Sequence, residues 1–156
     1  MDEPTPDPAP YPPARLRGLT SWLLNHAAAR SKRVVAAKAG HRPGVRMRYA
    51  ILAGLTEYGP LSQAELCRRL GIDRGDAVSA LNSMEREGVT RRIPDPTDGR
   101  RNIVEITSTG TKVLLELDAV VNAAQNELLR NLTEQEQAQL NALLLRLIDV
   151  PAEGPN

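Results

Sequence analysis

Apolar positions recur at helical spacing over most of this chain. Leu16, Leu19, Leu23, Ala27 and Val34 fall near one stripe, which predicts a long helix from about Leu16 to Ala39 that Gly40 can cap. His41-Arg42-Pro43-Gly44 is a break, because a proline disfavours helix just before it. A second helix runs from about Val45 to Glu57 and closes at Tyr58-Gly59-Pro60. A third opens on Ser62-Gln63-Ala64-Glu65, a capping-box pattern, and stops before Gly71. Asp73 suits the N-cap of a fourth, about residues 74–86, which Gly88 halts; its expected inward face is Ala77, Val78, Leu81 and Met84. Two further helices are predicted. One spans about Ser108 to Asn131. The other starts on the Thr133-Glu134-Gln135-Glu136 capping box and ends near Asp149, before Pro151.

The period changes between residues 91 and 107. Arg91-Arg92-Ile93 and the run Asn102 to Thr107 are β-prone, and the residues between them, Pro94 to Arg101, are too rich in turn formers and charge for a core. The order is four helices, a hairpin, then two helices. This predicts a mainly α fold with a small β-hairpin wing: a winged helix-turn-helix domain of about residues 44–107, flanked by N- and C-terminal dimerisation helices at about 15–40 and 108–149. The last two helices carry a dense apolar set from Val113 to Ile148, broader than a core of this size needs, so a helix-mediated dimer is expected.

Length and composition narrow the picture. The 156 residues suit one domain at about 15–150, after a proline-rich tail at 1–14 and before a short tail at 151–156. No apolar run nears the roughly 20 residues of a membrane span, and the acidic, proline-rich start is unlike a signal peptide. A cytoplasmic protein without a membrane partner is expected. One cysteine (Cys67) and two histidines leave no internal disulfide, and neither a metal site nor a cofactor is expected. The net charge of +1 conceals a segment, Arg15 to Arg48, with nine basic residues and no acidic one. A basic face therefore remains available for an anionic partner. Aromatics are too scarce for a single-strand or RNA reader that stacks bases.

The candidate chemistry sits on the fourth helix and the hairpin. Two helices joined by Leu70-Gly71-Ile72-Asp73 match a helix-turn-helix, whose second helix enters the DNA major groove. Arg74, Gly75, Asp76, Ser79, Asn82, Ser83 and Arg86 form an outward face of small or hydrogen-bonding residues suited to base edges and phosphates. At the hairpin tip Arg100 suits the minor groove, with Asp98 placed to hold its planar fork and Arg101 beside it. Arg46 and Arg48, which start the helix leading into this unit, are phosphate candidates. Trp22 and His26, four apart, share a helix face, and the residues alone suit a packed tryptophan and a partly exposed histidine at the dimer interface. Cys67, between apolar neighbours, reads as core. Nucleotide-binding and nucleophile-elbow motifs are missing, so an enzyme is not expected. A helical dimerisation or adaptor protein without DNA binding is the alternative, but it leaves the hairpin unexplained.

Two segments resemble the MarR family of winged helix-turn-helix regulators. "LSQAELCRRLGIDRGDAVSALNSMEREGVTRR" is similar to the family's helix-turn-helix, and "DPTDGRRNIVEITSTG" to its D-x-R wing signature. The resemblance covers about residues 15–150. It implies a homodimer with interlocked terminal helices and two winged lobes on a palindromic double-stranded operator. It also implies a recognition helix at 74–86 and a minor-groove arginine, Arg100, oriented by Asp98. Such proteins are mostly repressors, often relieved by anionic aromatic ligands or by thiol oxidation. The family's sensing cysteine lies in the N-terminal helix, which has none here. In the family that helix helps to enclose the effector cleft, and some urate-responsive members carry a tryptophan there, so the resemblance makes Trp22 and His26 candidate effector contacts.

Overall fold

Glycine and proline punctuate the sequence, and most helices of the computed structural model end where they stand. The structure describes residues 12–40, 42 and 44–148. Its helices are α1 (Ala14–Arg17), α2 (Thr20–Ala39), α3 (Val45–Tyr58), α4 (Gln63–Leu70), α5 (Arg74–Arg86), α6 (Ser108–Leu129) and α7 (Glu134–Leu147). The strands are β1 (Leu61–Ser62), β2 (Thr90–Pro94) and β3 (Asn102–Ile106). The first expected helix is two, because Leu19 is extended and separates α1 from α2. The outer tails, His41 and Pro43 of the break, and the expected end near Asp149 lie outside the described residues.

Local chemistry explains the other boundaries. Gly71 closes α4 in the left-handed region at φ 60°, and its N–H donates to the Cys67 carbonyl; a side chain there would be strained. Of the expected capping box at Ser62 only half forms: the Glu65 amide donates to Ser62 Oγ at 3.2 Å. The Glu65 carboxylate turns instead to Arg68 and Arg69, accepting bonds of 2.6–2.9 Å. Charge-assisted bonds outcompete one to a neutral amide, and these two guanidinium groups hold the Glu65 carboxyl near pKa 2. The box at Thr133 and Glu136, whose carboxylate is bonded to no arginine among the described residues, is complete.

The sheet has the antiparallel order β1-β3-β2. Thr90 faces Ile106 and Ile93 faces Ile103 across the hairpin. The two-residue β1, unexpected from the sequence, sets Leu61 opposite Val104 and so ties the hairpin to the start of α4. Beneath lies one core: Ile51, Leu52 and Leu55 of α3, Leu66 of α4, Leu81 and Met84 of α5, Val89 and Val104 of the hairpin, and Leu117 of α6. Cys67 is also buried, as expected.

A tight joint leads from the hairpin into the long helix α6. The Thr107 hydroxyl donates to the Gly88 carbonyl at 2.6 Å, while Thr107 Oγ1 accepts from the Gly110 amide at 3.0 Å. Gly110 sits so close to β2 that a Cβ there would stand 2.2 Å from the Val89 carbonyl oxygen. Further along, Tyr49 donates to Asp118 at 3.0 Å and fixes α3 against α6.

The terminal helices pack less completely. α2 lies along α6, yet Leu19, Leu23 and Ala27 of its expected inward stripe are exposed, and α7 buries no residue at all. Nothing else in the described chain covers those faces.

Candidate nucleic-acid interface

A helix exposes side chains in a fixed order, about 100° per residue. On α5 this places Ala77, Leu81 and Met84 inward, and all three are buried. Val78 corrects the expected pattern. It lies some 60° beyond Leu81 around the helix, is 38% exposed, and so joins the outer face; Ala80 packs on the core in its place. Arg74, Gly75, Asp76, Ser79, Asn82 and Arg86 are exposed, and Ser83 is half-buried. The helix starts where Asp73 accepts from the amides of Gly75 at 2.7 Å and Asp76 at 3.2 Å. That leaves the first turn of α5 closed by its own N-cap.

The outer face is wired to its surroundings in a way the sequence did not disclose. Arg48 donates to both carboxylate oxygens of Glu87, at 2.8 and 2.6 Å. The expected phosphate contact is thus engaged in a bidentate ion pair that fastens α3 to the end of α5. Arg48 holds the Glu87 carboxyl near pKa 2, helped by the Ser83 hydroxyl, which donates to it at 2.9 Å. Ser83 therefore spends its hydrogen inside the protein and keeps only acceptor capacity. Arg92 of β2 pairs with Glu85 and donates to Asn82 Oδ1 at 2.9 Å. The Arg92 amide also donates to Glu85 at 3.0 Å. Sequence reasoning missed Glu85, Glu87 and Arg92. The spacing of Asn82 and Glu85, three apart on one helix edge, hinted at a shared partner, but only the folded hairpin names it.

At the wing tip the expected pairing is corrected. Asp98 does not hold the Arg100 guanidinium. Its Oδ1 accepts from the Arg100 backbone amide at 3.1 Å, and its Oδ2 lies 3.4 Å from Nε of Arg101. A short acidic side chain reaches the amide two residues on more readily than the end of that residue's long side chain. Asp95 closes the other half of the loop by accepting from the Thr97 amide and hydroxyl at 2.8 and 2.7 Å, which hold its carboxyl below the usual range. Arg100 is left exposed, with no ion pair among the described residues.

The remaining candidates lie apart. Trp22 and His26 stack with ring centroids 3.5 Å apart, and the Trp22 carbonyl accepts from His26 Nδ1 at 3.0 Å. Neither lines the cavity of about 620 Å³ between α2 and α3. That cavity has Val35, Ala36, Ala39 and Met47 on its apolar walls and Lys32, Arg42 and Arg46 around it. Arg46 also borders a smaller cavity beside Tyr49 and α6.

The MarR family model matches residues 46–101, from the start of α3 to the wing tip. A probable transcriptional regulator from Pseudomonas aeruginosa is 30% identical and superposes with a TM-score of 0.75, covering 85% of this chain and 99% of the other. The chain belongs to the MarR family. The putative transcriptional regulatory protein for the hcr operon of Thauera aromatica is 28% identical over 123 residues, which are 79% of this chain and 72% of that one. The repressor CouR, solved bound to a 23-mer DNA duplex, shares the fold at 22% identity with a TM-score of 0.78, over 90% of this chain and 99% of CouR. This MarR-family chain is therefore a transcriptional regulator, and its family and neighbours are regulators rather than enzymes. Among its described residues no helix is long and apolar enough to cross a membrane.

Proposed function

We propose that the protein is a homodimeric cytoplasmic repressor that binds a palindromic double-stranded operator and has no catalytic role. α5 would enter the major groove and Arg100 the adjacent minor groove, with the terminal helices interlocking between the two chains. One observation carries this reading. An unpaired, exposed guanidinium stands at the apex of a hairpin directly after a helix whose outer face offers Ser79 and Asn82. Minor-groove potential attracts such a group, and CouR, of the same fold, is a repressor solved on duplex DNA. Footprinting on genomic fragments tests the reading. Protection of an inverted repeat, with affinity falling steeply as salt rises, is expected; equal retardation of every duplex overturns it.

The effector site belongs, on this reading, in the cavity between α2 and α3 rather than at Trp22 and His26. Three cationic side chains around apolar walls suit a small anionic aromatic ligand. Benzoate should raise the melting temperature of wild type and not that of a Lys32→Ala, Arg46→Ala variant. Equal shifts in both proteins exclude the cavity.

A further inference from the structure

We propose that Arg92 is a positioning residue that sets which base Asn82 reads, and that this base is guanine. The inference rests on α5 being the major-groove helix. A guanidinium carries five donors and no acceptor, so the atom of the Asn82 amide that faces Arg92 must be its oxygen. Arg92 is itself fixed on two sides: its side chain pairs with Glu85, and its backbone amide donates to the same carboxylate. The amide of Asn82 is therefore locked, with its oxygen toward the hairpin.

An asparagine that reads adenine offers an oxygen to N6–H and a nitrogen to N7 side by side. Here the oxygen already borders a guanidinium, so an adenine N6–H would enter an edge crowded with donors. Guanine presents acceptors at both N7 and O6, and both are matched by that donor-rich edge.

Selection of bound duplexes from a randomised library tests the assignment, using wild type, Asn82→Ala, Arg92→Met and Arg92→Lys. Asn82→Ala identifies the base pair in each half-site that residue 82 reads. Wild type should prefer guanine there over adenine by about tenfold, the size of one good base contact. Arg92→Met should flatten that preference while every other position keeps its own. Arg92→Lys keeps the charge and can hold Glu85, but has no fork for Asn82, and should flatten the same pair even if the methionine variant folds poorly. Adenine at that pair in wild type overturns the proposal. So does a uniform loss of preference at all positions in the Arg92 variants, which would make Arg92 a structural support of the wing only. Wild type selecting no sequence overturns the DNA-reading function itself, a result distinct from sequence-specific binding with the wrong base.

Discussion

The winged lobe and the terminal helices are built to different standards of completion. In the lobe, Ile51, Leu52, Leu66, Leu81 and Met84 are almost wholly shielded by their own chain. Leu147 of α7 is 55% and its C-cap Ile148 64% exposed, and Leu23 of α2 is 45% exposed. Both regions are rich in leucine. The lobe satisfies its apolar surface internally, whereas α2 and α7 carry apolar surface that a single chain leaves in water. Isolated exposed leucines are ordinary, but a run along two helices calls for a second surface.

The largest effect is expected where this contrast is broken outright. Leu147→Asp should cost little in a lone chain, since the position is already half in water. In a dimer it buries an unpaired charge and should cost roughly 3 kcal/mol or more. Light scattering should read about twice 17.0 kDa for wild type and the single-chain mass, or an unfolded chain, for the variant. A wild-type value near 17.0 kDa would remove the dimer.

A change within the lobe should act differently. Leu52→Ala should lower stability by about 2–5 kcal/mol through the cavity it leaves. It should do so without altering the oligomeric state at temperatures where the protein is folded. Denaturant unfolding paired with light scattering checks both parts; a variant that dissociates before it unfolds would mean that the lobe and the terminal helices are not separable in this way.

At the wing the expected effects are smaller and concern DNA. Arg100→Ala should lose about 1–3 kcal/mol of operator affinity and more than Arg101→Ala, because Arg101 is already partnered by Asp98. Asp98→Ala should also weaken binding, by releasing the Arg100 amide that holds the loop in shape. Titrations at one salt concentration decide this. Tighter binding by Asp98→Ala would reduce the tip to a charged patch.

The smallest effect is the acid response of the Arg48–Glu87 pair. The Glu87 carboxyl is depressed from 4.5 to about 2. Its stabilisation is therefore fully present above about pH 4.5 and is lost as pH falls toward 2. The carboxylate is nearly half exposed, so solvent screening should keep its worth below about 1 kcal/mol. Glu87→Gln should flatten that part of the stability–pH curve, as read by thermal melts. An unchanged slope would assign the acid sensitivity elsewhere.

Features written within a few residues were legible in the sequence. Gly71, Asp73, Thr133 and Glu136 mark helix ends through contacts with near neighbours, and the β-prone run Asn102–Ile106 marks a strand. Features that depend on competition between partners were not. Glu65 had its own helix N-terminus and two arginines within reach, and charge decided the choice. Helical spacing predicts an outer face for Asn82 and Ser83, and Asn82 is exposed and Ser83 half-buried, but their bonds to Arg92 and Glu87 exist only once β2 and the end of α5 are in position. The ion pair of Arg48, a phosphate candidate by its position, is invisible in the sequence because its partner lies 39 residues away. The Gly18-Leu19 break escaped notice because the apolar stripe runs straight through it.

The joint at Thr107 and Gly110 makes α6 a lever with the wing as its short arm. With 22 residues, α6 is about 33 Å long, and the hairpin from Thr107 to the tip extends roughly 20 Å. The fulcrum is stiff, because the first turn of α6 sits against the Val89 carbonyl with no room for even a methyl group. A rotation of α6 by about 5° about that point would sweep the tip through roughly 2 Å, enough to carry a hydrogen bond beyond its working length. A tilt of α6 carried rigidly through this joint would therefore change the reach of Arg100.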